Sequence, residues 1–194
     1  MAGRPRGVIL LTLVNICVFC SAYALDERYT GPAGKFAALL GERGHTLVWG
    51  GSDAGLMGVL ADGVKAAGGR LVGISVDLLA HKSYQGADEL VMTRDLAERK
   101  AVLLARADAI VVLAGGLGTL DELTEVLELK KHDVHSKPVV VLDTEGFYDG
   151  LRTQLTRMAA EGFLPRPLDE LVFFATDPAS ALAHLEASSA APAA

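Results

Sequence analysis

In the run Ala109-Ile110-Val111-Val112-Leu113-Ala114-Gly115-Gly116-Leu117-Gly118-Thr119-Leu120-Asp121-Glu122, an unbroken apolar segment gives way to closely spaced glycines and then to helix-spaced leucines. Ala109–Leu113 has the continuity of a central parallel strand, buried on both faces. A helix opened by Thr119 runs on to about Lys131, with Leu120, Leu123, Val126, Leu127 and Leu129 as its apolar stripe. A strand that passes through a glycine turn into a helix is the repeating unit of an α/β fold.

The same alternation extends in both directions. Strands are expected at Val14–Cys20, Thr46–Trp49, Arg70–Val76, Glu89–Met92, Pro138–Leu142 and Leu171–Ala175. Helices are expected at Pro32–Arg43, from the glycine turn at 50–58 to about Ala67, and at Asp95–Ala107, Tyr148–Glu161 and Pro178–Leu185, the last capped by Asp177. Asp77–Ala87 reads as an irregular polar loop. The pattern predicts a single α/β domain over residues 14–186, a doubly wound parallel sheet with helices on both faces, followed by a flexible Ala/Ser/Pro-rich tail at 187–194.

Composition agrees. A chain of 194 residues, 51% hydrophobic and 22% charged, is long enough for one well-buried core and is not disordered. The net charge of −6, with no basic patch, argues against nucleic-acid binding, and no apolar run has the length of an uninterrupted membrane span. Cys17 and Cys20 form a C-x-x-C, but on a strand residues three apart point to opposite faces, so core thiols are expected rather than a redox pair or metal site. The N-terminus, with Arg4, Arg6, an apolar run and Ala22-Tyr23-Ala24, imitates a signal peptide. Cleavage there would remove the first strand, so a cytoplasmic protein is expected, with residues 1–13 an extension outside the fold.

Glycine is over-represented, 21 residues of 194, and seven of them lie in two strand-to-helix turns: Gly50, Gly51, Gly55 and Gly58, and Gly115, Gly116 and Gly118. Both turns fall at the carboxyl edge of the expected sheet, where open α/β folds bind ligands. Glycine lets backbone N–H groups approach an anion, and a helix N-terminus adds a favourable dipole. No Walker sequence is present, and the third glycine of the dinucleotide fingerprint is missing after Gly116-Leu117-Gly118.

Two helices carry charges where apolar residues are expected. Lys100 falls within the arc of Leu96, Ala97, Ala101, Leu103, Leu104 and Ala107, with Arg99 at its edge; Lys100 must either extend to solvent or meet an anion. Glu122 lies between Leu129 and Val126, whereas Asp121, Glu125 and Glu128 fall on the solvated side. Two roles are open to Glu122: the last member of a Thr119-x-x-Glu122 capping box, or a carboxylate placed for chemistry beside a phosphate cradle.

These residues resemble the LOG family of cytokinin riboside 5′-monophosphate phosphoribohydrolases. Gly115-Gly116-Leu117-Gly118-Thr119-Leu120-Asp121-Glu122 is similar to its P-G-G-x-G-T-x-x-E motif, Glu98-Arg99-Lys100 to its R-K pair, Trp49–Gly58 to its Y-G-G-G-x-x-G-L-M-G turn, and Phe19-Cys20-Ser21 to its C-G-S-S turn. The resemblance spans about residues 14–175. It implies Rossmann-like subunits forming a homodimer, no metal or other cofactor, and hydrolysis of the N-glycosidic bond of AMP or an N6-modified AMP to free base and ribose 5-phosphate. It implies Arg99 and Glu122 as the catalytic pair, and Ser21, Gly51, Lys100, Gly115, Gly116, Leu117, Gly118 and Thr119 as substrate-binding residues. His81 stands where many relatives have a substrate-contacting glutamate, Ala114 replaces the motif's proline and Ser52 the third glycine of the first turn. Nothing in the sequence identifies a pyridoxal-phosphate lysine, so the older label of lysine decarboxylase finds no support.

The competing expectation is a non-enzymatic nucleotide or molybdenum-cofactor carrier, which needs the cradle but not the carboxylate. A nicotinamide-dependent oxidoreductase is disfavoured by the broken fingerprint. His132 and His135, among Lys130, Lys131 and Asp133 at a helix end, read as dipole-compensating residues rather than metal ligands.

Overall fold

Seven parallel strands form one sheet in the order β4-β3-β2-β1-β5-β6-β7 in the computed structural model, which describes residues 14–189. The strands are β1 (Asn15–Phe19), β2 (Thr46–Trp49), β3 (Arg70–Val76), β4 (Glu89–Thr93), β5 (Ala109–Val112), β6 (Val139–Leu142) and β7 (Phe173–Ala175). Between them run α1 (Glu27–Glu42), α2 (Gly55–Ala66), α3 (Leu96–Arg106), α4 (Leu117–Lys131), α5 (Asp149–Ala160), the single turn α6 (Leu168–Leu171) and α7 (Pro178–Ser189).

The strands are buried on both faces, and their period of two divides the core. Ile16, Val18, Val111, Val140 and Leu142 face α1, α2 and α7, packing with Phe36, Leu40, Leu60, Leu182 and Leu185. Cys17, Phe19, Ile110, Val112 and Val141 face the other layer, packing with Leu103, Leu123, Val126 and Leu155. The sheet is therefore doubly wound, as the alternation requires. Cys17 and Cys20 are free, buried and in opposite layers. Burial pushes both thiols up from their ordinary range, leaving no thiolate for redox chemistry.

Several boundaries differ from the sequence expectation. α1 begins at Glu27 rather than Pro32, because the Asp26 carboxylate caps it by accepting the Arg28 amide at 3.0 Å. Pro32 then sits inside the helix and forfeits one backbone hydrogen bond. Leu171, expected to open the last strand, instead ends α6. α7 starts where expected, with Asp177 accepting the Ser180 amide at 2.9 Å, but continues past Leu185 to Ser189, so the tail expected from 187 is helical at its start. The expected N-terminal extension 1–13 and the end of the tail, 190–194, lie outside the described residues.

The Asp77–Ala87 segment is more ordered than its composition implies. Asp77–Lys82 forms a short 3-10 helix, and the segment is tied to the turn after β2 through Asp53 N to Lys82 O (3.1 Å) and Tyr84 N to Gly51 O (2.8 Å). Among the described residues, no helix is long and apolar enough to cross a membrane.

Candidate active site

Strand order reverses direction between β1 and β5, which opens a crevice beyond their carboxyl ends. A cavity of about 500 Å³ lies in that region. Ser21–Tyr23 from the loop after β1, Met57 of α2, Arg99 of α3, and Gly116, Gly118, Thr119 and Glu122 at the start of α4 line it, with Cys20 and Leu117. The loops are pinned to one another: Ser21 N donates to Ala114 O at 3.1 Å, and Leu56 N donates to Ser21 O at 3.0 Å.

α4 begins at Leu117 with Gly116 as its N-cap residue and no side-chain cap. The capping-box role for Glu122 therefore falls: Thr119 is already inside the first turn, buried, and Glu122 projects one turn further along the same face. Gly115 lets the chain close over Thr119; a Cβ there would lie 2.2 Å from the Thr119 hydroxyl oxygen. Gly116 and Gly118, by contrast, face open space.

Arg99 and Glu122 meet in the cavity. Each is only 8% exposed, and Arg99 Nη1 donates to Glu122 Oε1 at 3.4 Å while Arg99 Nε donates to Ile74 O at 2.9 Å. Arg99 takes a core position on α3, one turn before Leu103, and these are the buried residues of that helix. Leu96, assigned to the apolar arc by periodicity, is exposed instead. Burial raises the Glu122 carboxyl to about 7, against the opposing pull of the Arg99 guanidinium, so it exchanges its proton near neutrality.

Lys100 does not reach the cavity. One residue beyond Arg99 it is rotated by about 100°, towards α4, where its ammonium bridges Asp121 (2.9 Å) and Glu125. These carboxylates, Glu125 first and then Asp121, four residues apart on α4, push the Lys100 ammonium's pKa up from its ordinary value. Lys100 thus fastens α3 to α4 beside the cavity and is not among the residues that line it.

Two other expected contacts also lie elsewhere. His81 is exposed on the 3-10 helix and does not line the cavity. Gly51 is buried with a left-handed φ of +70°, its Cα side turned to Leu90 and Gly73, so it serves the packing of β2 on β3. Its neighbour Gly50 is the glycine that matters to the pair. A Cβ there would stand 2.0 Å from Arg99 Nη2, so the guanidinium occupies the space a side chain would fill. Sequence reasoning placed Gly50 in a glycine turn suited to an anion but not beside Arg99, and singled out neither Met57 nor Tyr23 as a site residue. The Gly50-Gly51 doublet was visible, but which glycine faces the cavity depends on turn geometry.

The parallel doubly wound sheet, with a glycine turn opening α4 at the switch point, defines a Rossmann-like α/β protein. Solved structures share this architecture. The molybdenum cofactor binding protein of Rippkaea orientalis superposes with a TM-score of 0.72 at 21% identity, covering 91% of this chain and 98% of that one. A Moco carrier protein of Chlamydomonas reinhardtii gives 0.70 at 24% identity, over 91% and 98%. At such identities the likeness is one of fold.

Sequence comparison is more specific. Residues 57–185 match the family model described as possible lysine decarboxylase. A cytokinin riboside 5′-monophosphate phosphoribohydrolase of Mycobacterium marinum is 40% identical over 154 residues, 78% of this chain and 82% of the relative. Those of Mycobacterium tuberculosis and Arabidopsis thaliana are each 36% identical, over 81% and 82% of this chain and 86% and 71% of the relative. The chain belongs to the LOG family. No lysine lines the cavity among the described residues.

Proposed function

We propose that this chain hydrolyses the N-glycosidic bond of a nucleoside 5′-monophosphate, AMP or an N6-modified AMP such as a cytokinin riboside 5′-monophosphate, to free base and ribose 5-phosphate. The observation that carries this reading is the buried Glu122, paired with Arg99 in a cavity walled by the Gly116–Thr119 turn. The names of the relatives at 36–40% identity point to the same reaction.

The chemistry follows from charge development. Breaking the C1′–N bond sends its electron pair to the base and leaves positive charge on the ribose, as in glycoside hydrolysis. Ionised Glu122 stabilises that charge and takes a proton from the attacking water, whose oxygen bonds to C1′; the departing base gains a proton in turn. Arg99 favours the ionised form of Glu122 against the effect of burial and orients it, and the free amides at the start of α4 receive the 5′-phosphate. A cofactor carrier would need the cradle without a buried carboxylate that titrates near neutrality. The reading also includes a homodimer, for which the exposed Leu90 and Met92 of edge strand β4 offer apolar surface.

Chromatography of AMP and N6-isopentenyl-AMP incubated with the protein tests the reaction. Free base is expected from at least one, and none from either favours the carrier. Because Glu122 acts ionised and its carboxyl in the free protein is raised to about 7, kcat/KM should rise with pH and reach half its plateau near 7. A rate already flat between pH 5 and 8 would remove Glu122 from the base role.

A further inference from the structure

The cavity has two unlike walls. Arg99, Thr119, Glu122 and the amides of the Gly116–Gly118 turn make the polar one, while Cys20, Ala22, Tyr23 and Met57 make the other, together with Ser21, whose hydroxyl is engaged by the Tyr23 amide. Glu122 belongs to the polar wall, so a nucleotide placed with its phosphate on the turn and its C1′ near Glu122 has its base left for the apolar wall. At the rim of that wall stands Tyr23, 79% exposed. A single exposed aromatic ring is ordinary on a protein surface. This one differs because it borders the cavity and because its backbone is immobilised.

Three contacts hold that backbone. Tyr23 N donates to Ser21 Oγ at 3.0 Å, and Ser21 O accepts the Leu56 amide at 3.0 Å. Gly55, with φ of +57°, lies directly under the loop: a Cβ there would come within 2.3 Å of Tyr23 O and 2.5 Å of Ala22 C. The α2 N-terminus thus acts as a rest for the Ser21–Tyr23 loop. A ring on a fixed Cα loses little freedom when a flat ligand stacks on it.

Resting on the phosphoribohydrolase reading, we propose that Tyr23 is the platform on which the nucleobase stacks, above the apolar wall of Cys20, Ala22 and Met57. The chemical class this wall accepts is a flat heteroaromatic base. Its side chains include no amide or carboxylate to read the exocyclic position of a purine, and stacking tolerates substitution where hydrogen-bonded readout does not. AMP and N6-isopentenyl-AMP are therefore expected to be used with kcat/KM within about tenfold of each other.

The test compares wild type, Tyr23→Phe and Tyr23→Ala. Tyr23→Ala should raise KM for AMP about tenfold or more, the size of a lost base–aromatic stack, with kcat within about threefold. Tyr23→Phe should keep KM near wild type. Inhibition by ribose 5-phosphate, which has no base, should be the same in all three. A KM unchanged in Tyr23→Ala overturns the proposal, as does an equal loss of ribose 5-phosphate binding, which would mark a collapsed loop. If the wild type releases no base, the function reading fails, and calorimetric AMP affinity of wild type against Tyr23→Ala still decides the stacking role.

Discussion

Glu122→Gln is expected to bind AMP within about threefold of wild type and to lose about a thousandfold in kcat, the scale of removing a general base that also stabilises transition-state charge. Glutamine has the shape of the carboxylic acid but neither accepts the water proton nor carries charge. Calorimetric affinity and the rate of base release, measured on the same preparation, separate the two effects. Activity within tenfold of wild type would refute the assignment. The variant has a second signature in stability. Because folding raises the Glu122 carboxyl from 4.5 to about 7, its contribution is fully present below pH 4.5 and is lost as pH rises through 7. By pH 8 the ionised, buried carboxylate costs up to ~3 kcal/mol, a penalty Glu122→Gln does not incur. Wild type should lose thermal stability between pH 5 and 8 relative to the variant, and parallel Tm curves would contradict the burial argument.

Gly50→Ala should cost about a hundredfold in kcat/KM while leaving the fold intact. The new methyl would fall 2.0 Å from Arg99 Nη2 and 3.0 Å from Met57 Cε. Both are side-chain ends, so side chains rather than the sheet must move, yet Arg99 Nε is held on Ile74 O and cannot retreat without breaking that bond. The guanidinium is then displaced from Glu122, and misplacement by about 1 Å is enough for a loss of this size. Tm should fall by only a few degrees. Gly51→Ala provides the contrast: it meets a left-handed backbone and Leu90, and should harm stability more than the residual activity per folded molecule.

The strands could be read from sequence because parallel strands covered on both faces are continuous apolar runs; Ala109–Val112 and Val139–Leu142 could hardly be anything else. The start of α1 could not, since Pro32 has the strongest preference for a first helical turn while Asp26, well before it, supplies the actual cap. Arg99 and Glu122 were legible as charges beside apolar stripes, and both are buried. Lys100 fell nearer the middle of its arc than Arg99, yet the stripe follows Arg99, because Asp121 and Glu125 on α4 draw the lysine away. That outcome depends on how α3 and α4 lie together, which periodicity within one helix does not contain. The same holds for Tyr23 and Met57, whose roles arise only where separate loops meet.

Arg99 is gripped by a carbonyl of β3, faces a carboxylate of α4 and fills the space beside Gly50 after β2. Each of those partners arrives from a different unit of the chain, and none suffices alone. A half-assembled copy accordingly has no charged pair and, on the proposed function, no means of cleaving a nucleotide.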